Sequence, residues 1–382
     1  MISSRTSDAF LTFVRLGIGH RSAELPAEAD WPAIRALAIR HGLSAVVFAG
    51  IGKKYASMQE DMFFSWAGEV IHDYEHRYEA YKRAIAEIAR FYNSHGFKMM
   101  VLKGYACSLD WPSPDKRPCG DIDIWLFGKQ KEADEELLRI NENEKINEND
   151  NENEKINENH NENLGNRHIV IDSSHHHHTV YKWNEFDVEN HYDFINVHHH
   201  KSNKEFEKIL KQLGEDDSHY VEVGGEKICL PSSNLHALFL LKHLMMHFAS
   251  EGIRLGQVLD WGFFMEKHGK EVDWDYVDKV LDSFGMYQMF NIINAICVED
   301  LGFDEGLFPK VLVDPSLKDR VLKEILTPQH NASLPKNIFR RLLFKIRRWK
   351  DNEWKHKLCY KDSMWSAFWS GVWSHLLKPS SI

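Results

Sequence analysis

Between Asn141 and Asn163 the chain repeats itself as NENEKINEND, NENEKINENH, NEN, a ten-residue period of Asn and Glu that holds only two isoleucines. A segment with so little apolar surface cannot offset the entropy of ordering, so no core can be built through it. Residues 141–164 therefore read as a disordered, solvated insertion, and whatever fold the chain has must be closed by the segments on either side. The repeat also distorts the charge. Its eight carboxylates against Lys145 and Lys155 supply −6 of the net −10, and the −4 left on the other residues says little about partners.

The 382 residues are 43% hydrophobic, with 12 Trp and 22 Phe, enough for two or three packed domains. There is no apolar run of about 18 residues and no apolar block behind Met1, so the sequence predicts a cytoplasmic protein with no membrane span. Five scattered cysteines without a C-x-x-C pair give no disulfide framework and no cysteine zinc site.

The hydrophobic period divides the chain into three. Residues 1–95 read as helical. Asp30 is an N-cap ahead of Pro32, Ile34, Leu37 and Ala38, with a stop at His41-Gly42, and a longer helix runs from Ile71 to Tyr92 with its stop at Gly96. Residues 96–230 switch to strands: Phe97–Leu102, Ile122–Leu126, His168–Ile171, and a hairpin of His178–Trp183 and Phe186–His191 about the turn Asn184-Glu185. Residues 231–382 return to helices, including His243 and His247 on one helical face, with Arg254 and Asp260 beyond Gly252.

The chemistry concentrates around Gly120-Asp-Ile-Asp-Ile124. Side chains alternate along a strand, so Asp121 and Asp123 share one face while Ile122 and Ile124 face inward. Two carboxylates side by side call for cations, and hard oxygen donors at this spacing suit Mg²⁺ shared with substrate phosphates. Lys103-Gly104 after the first strand offers a point charge and a close backbone approach for phosphate. The hairpin adds a third acid: alternation puts Asp187, Glu189 and His191 on one polar face, and Glu189 at its centre is the assigned third carboxylate, with Asp187 as the fallback. Removing like-charge repulsion predicts that Asn at 121 or 123 leaves the fold intact.

These pieces resemble the uncharacterised nucleotidyltransferase family of the DNA polymerase β-like superfamily. The matching features are Lys103-Gly104, Arg117, Gly-Asp-Ile-Asp-Ile, His-His-Thr-Val-Tyr, Val188-Glu-x-His191, and the helical stretch from His243 through His247 and Arg254 to Trp261. The resemblance implies an α+β fold: a nucleotidyltransferase-like mixed sheet with flanking helices, plus N-terminal and C-terminal helical regions. It further implies Asp121, Asp123 and Glu189 as catalytic metal ligands for two Mg²⁺ ions, with Mn²⁺ as the substitute. Lys103, Gly104, Arg117, His191, His243, His247 and Arg254 become substrate-binding positions, Arg254 facing the triphosphate. The expected activity is transfer of an NMP group from a nucleoside triphosphate such as ATP to an unknown acceptor hydroxyl, against the alternative of a non-catalytic nucleotide sensor on the same fold.

The remaining motifs read more plainly. His175–His178 cannot all address one ion if they lie in a strand, because alternate residues face opposite ways. Basic residues from Arg340 to Lys350, interleaved with apolar ones, form an amphipathic helix with its apolar side packed inward, and they leave nucleic acid open as a partner. Trp365, Trp369 and Trp373 fall on one helical face.

Overall fold

The computed structural model describes residues 3–20, 29–52, 58–150, 169–198, 200–309, 313–330 and 337–365. They group into two compact units rather than the three segments that the hydrophobic period suggests. Among the described residues, one unit holds Glu79–Ala106 and Cys119–Ser232; the other gathers the chain up to Tyr78, Cys107–Pro118 and residues 233–365.

The first unit is built on a six-stranded mixed sheet: β1 Met100–Val101, β2 Ile122–Trp125, β3 His178–Trp183, β4 Phe186–His191, β5 Tyr220–Val223 and β6 Glu226–Cys229. The spatial order is β3-β4-β2-β1-β6-β5, with β2–β4 and β1–β6 parallel and the other neighbours antiparallel. An α+β architecture with a mixed sheet and flanking helices is thus what forms. The β3–β4 hairpin turns at Asn184-Glu185, and Asn184 takes the left-handed conformation (φ 54°) that such a tight turn requires.

Alternation sorts the sheet's two faces. Tyr181, Trp183, Phe186 and Val188 point to one side and are buried against the helix Arg77–Ser94. Tyr81 meets Phe186 edge-on, and the buried hydroxyls of Tyr92 and Tyr181 bond at 2.9 Å. This is why the helix belongs with the sheet and not with the helices before it. The same helix is entered through a π-helical stretch, Ile71–His76, and Ile71, expected on its apolar face, is exposed.

Two segments differ from the sequence reading. Residues 169–171 form no strand; what pairs is a single bridge between Asp172 and Val180. The helix Gln130–Asp150 carries on into the first copy of the repeat, and its Asn141 is buried, the side-chain amide bonding both the N–H and the C=O of Ile169 (3.2 and 3.1 Å). The repeat beyond Asp150 lies outside the described residues.

The second unit is helical. Asp30 caps the helix Trp31–His41 by accepting from the N–H of Ala33, and Gly42 ends it at φ 66°. Leu255 and Leu259 sit in a buried helix, Leu255–His268, and no described helix is long and apolar enough to cross a membrane. The basic helix Ile338–Asp351 departs from the inward-packed reading, because Leu343 and Ile346 are exposed along with Arg340, Arg341 and Lys345. Trp365 is exposed; Trp369 and Trp373 lie outside the described residues.

His41 ties this unit together. Its Nδ1 accepts from the N–H of Leu255 (3.2 Å) and its Nε2 donates to the carbonyl of Leu326 (3.4 Å). The neutral ring fits both partners, and burial, aided by Arg40 and Arg254, lowers its pKa to about 4 against the pull of the Leu326 carbonyl. Because the unfolded chain protonates near 6.5 and the folded chain near 4, this contribution to stability is complete above pH 6.5 and lost as pH falls towards 4. The expected loss is roughly 2–3 kcal/mol, read as a falling urea midpoint across that window. His41→Gln should flatten it, and an unchanged slope would remove His41 as the cause.

Candidate active site

The parallel pairing of β2 with β4 decides the geometry. Its register sets Asp123 opposite Glu189 and Trp125 opposite His191, so the polar edges of two strands distant in sequence meet on one face of the sheet. Asp121, two residues before Asp123, shares that face. Antiparallel β3 adds His178 directly opposite His191. Asp123 is almost completely buried and Glu189 partly so, whereas Asp121 is exposed at the mouth.

Such crowding of acids needs compensation, and two cations provide it. Lys103 Nζ lies 2.7 Å from Asp123 Oδ1, and His191 Nε2 donates to the same oxygen at 3.1 Å and stands 3.4 Å from Glu189. Burial would push the Asp123 carboxyl up, but Lys103 and His191 outweigh it and hold the group well below the usual carboxylate range. Burial likewise opposes charge on His191 and Lys103, and the neighbouring carboxylates override it, so both are raised. The other nitrogen of His191, Nδ1, donates to the carbonyl of Asp193 (3.2 Å), so the ring has an acceptor on each side. Asp121 moves the other way: burial first, then Glu189 and Asp123, raise its pKa, the mark of a carboxylate facing other negative charge with too few cations nearby. His191 with Asp123 and Glu189 forms one group of converging metal-ligand atoms.

The scaffold under these residues is fixed. Gly104 sits at φ 36° where any Cβ would strike the hydroxyl of Tyr81, which itself donates to the carbonyl of Asp121 (2.8 Å). Gly104 therefore serves the close approach of the helix to the carboxylate strand. On the opposite face Asp134 is buried and accepts from Asn190 (2.8 Å), Thr179 (2.8 Å) and Gln130, locking the helix Gln130–Asp150 onto β3 and β4. Sequence reasoning missed this network; the polar residues at inward positions of both hairpin strands, Thr179 and Asn190, were its signal.

The histidines also surprise. His175–His177 precede β3 in a bend, so strand alternation does not govern them, and His177 and His178 both turn to His191.

The remaining substrate-binding candidates, Arg117, His243, His247 and Arg254, belong to the second unit. Arg117 grips Asp260 with two nitrogens (Nε 2.8 Å, Nη2 3.0 Å), and Trp111 Nε1 bonds the same carboxylate at 2.8 Å. Asp260 is buried, and this is a structural ion pair. His243 and His247 pack ring edge to face at 4.4 Å, and Arg254 is exposed at the start of the helix Leu255–His268. A cavity of about 630 Å³ opens elsewhere, between Trp125, Tyr192, Lys211 and Glu215, and does not include the carboxylates.

The sequence model of the uncharacterised nucleotidyltransferase family matches residues 27–301, which takes in the whole carboxylate sheet. No curated protein and no solved structure matches the chain.

Two outcomes follow from the ion pairs. Arg117→Ala strands the buried Asp260 charge and should cost about 3–5 kcal/mol in urea unfolding; an unchanged midpoint would contradict the structural role. Asn at position 123 is not benign either, as like-charge arguments from sequence suggested, because it strips Lys103 and His191 of their shared partner. Asp123→Asn should lose about 3 kcal/mol while Asp121→Asn loses none, a contrast read directly from thermal or urea melts.

Proposed function

The chain belongs to the uncharacterised nucleotidyltransferase family, and we propose that it moves an NMP group from a nucleoside triphosphate to a hydroxyl-bearing acceptor. The observation that carries this reading is the register of β2 on β4, which sets Asp123 beside Glu189 with Asp121 at the mouth of the same face. The donor set fits a hard divalent cation such as Mg²⁺: oxygens of Asp123 and Glu189 converge, and Asp121, raised by burial and then by Glu189 and Asp123, stands among like charges. Bound there, a divalent pair would supply Lewis-acid stabilisation of attacking and leaving oxygens.

The chain's own residues set up the rest. Asp121 and Asp123 would hold the ions and thereby supply charge stabilisation, and Glu189 takes up the proton of the acceptor hydroxyl as its oxygen bonds the α-phosphorus. The bond from that phosphorus to the β-phosphate bridging oxygen breaks, and pyrophosphate leaves. Lys103, paired with Asp123, gives the phosphates a cation within reach of the same face. His191 keeps Asp123 ionised and oriented.

Incubation with α-labelled nucleoside triphosphates, Mg²⁺ and fractionated lysate should pass label to one acceptor class and release pyrophosphate. Asp121→Asn is the cleanest variant, since it leaves the Lys103–Asp123–His191 contacts in place, and it should lower transfer by at least ~10²-fold. Glu189→Gln should fall comparably, with nucleotide binding retained. Magnesium-dependent nucleotide binding with no transfer to any fraction would instead mark a nucleotide sensor on this fold.

A further inference from the structure

Asp123 takes one side of His191 and the carbonyl of Asp193 the other, and neither accounts for the two histidines beside it. His177, His178 and His191 bring three imidazoles together, each offering a ring nitrogen within 4.8 Å of the other two. Ring centroids lie 4.2 Å apart for His177 and His178, 5.2 Å for His178 and His191, and 5.6 Å for His177 and His191. His178 is 5% exposed, yet neither of its ring nitrogens makes a hydrogen bond, and Nδ1 of His177 is buried without one. Buried polar atoms are normally hydrogen-bonded, so three nitrogens on two neighbouring rings that make no hydrogen bond, the nearest carboxylate being Glu189 at 3.8 Å from His178 Nε2, call for a ligand that accepts nitrogen donors.

The backbone holds this arrangement in place. The carbonyl of His177 accepts from the N–H groups of both Tyr192 and Asp193 (3.1 Å each), pinning the bend before β3 to the end of β4. His178 and His191 are register partners on adjacent strands.

We propose that His177, His178 and His191 bind a borderline transition-metal cation, Zn²⁺ in the first instance, at a site that adjoins the carboxylates and shares His191 with them. Neutral imidazoles suit Zn²⁺, Co²⁺ and Ni²⁺, whereas Mg²⁺ prefers oxygen. Small ring rotations bring donors at this spacing to the 2.0–2.1 Å typical of zinc–nitrogen bonds. His191 gives up one ring proton to solvent on binding, and its remaining N–H stays on an oxygen, the carboxylate–histidine–metal arrangement that fixes a ligand's orientation. The ion then clips the His175–His177 bend to β4 beside the carboxylates. This proposal does not rest on nucleotidyl transfer, and its test reads no activity.

The test uses the full chain stripped with chelator, titrated with Zn²⁺ against a chromophoric competitor and with Co²⁺ by visible absorption. One Zn²⁺ per chain is expected, with intense tetrahedral-type Co²⁺ bands that a large excess of Mg²⁺ leaves unchanged. His177→Ala and His178→Gln should each weaken Zn²⁺ at least ~10-fold, while the exposed neighbour variant His175→Ala binds as wild type. Circular dichroism checks that each variant is folded, and His177, only half-buried, is the replacement least able to disturb the core. Absence of saturable Zn²⁺ binding, wild-type affinity in both folded variants, or displacement of Co²⁺ by Mg²⁺ would overturn the site.

Discussion

A single strand pairing carries the chemistry of this protein: β2 lies parallel to β4 in the register that sets Asp123 against Glu189. Like charges placed side by side in a partly buried sheet repel, and a fold that keeps them must supply cations in compensation. Lys103 reaches in from the end of β1 and His191 from the end of β4, both onto Asp123. Asp121, at the exposed mouth, moves the other way: burial, then Glu189 and Asp123, raise its pKa against the pull of Lys103. The site thus sets its most buried acid beside two cations and leaves its outermost one among like charges.

The same alternation that lines up the acids provides their foundation. Residues between them, Ile122, Ile124 and Val188, are buried, and the aromatic face of the hairpin seats the helix Arg77–Ser94. Strands β2 and β4 therefore present Asp123, Glu189 and His191, while Lys103 and Asp121 sit just outside the strand ends. Asp134 extends the logic with a buried carboxylate satisfied by Asn190, Thr179 and Gln130, tying a second helix to the strands that bear Glu189 and His191.

What could be read in the sequence was local. The Gly-Asp-Ile-Asp-Ile strand, the hairpin about Asn184-Glu185 and the face shared by Asp187, Glu189 and His191 follow from period two, and the cap at Asp30 from its side chain. The adjacency of β2 and β4 is long-range, and no spacing along the chain dictates it; the likeness to the family stood in for it. Strand alternation misled at His175–His177, because those residues bend before the strand begins. The β5–β6 hairpin escaped notice although Gly224-Gly225, both at positive φ, marks its turn, since its flanking residues are largely polar. Arg117 entered through the likeness to the family; its contact with Asp260, far along the sequence, is one that no spacing predicts.

The amide of Asn141 has a consequence for how this protein can change over generations. By holding both backbone groups of Ile169, it pins the start of the repeat, inside the helix Gln130–Asp150, to the residue from which the chain runs on toward β3. Closing a longer excursion between two fixed ends costs only about 0.6 kcal/mol for each doubling of its length. Slippage that adds or deletes ten-residue copies would then be nearly invisible to selection on folding, provided the asparagine clasp survives. The length of this excursion is free to drift while the carboxylate strands on either side of it are not.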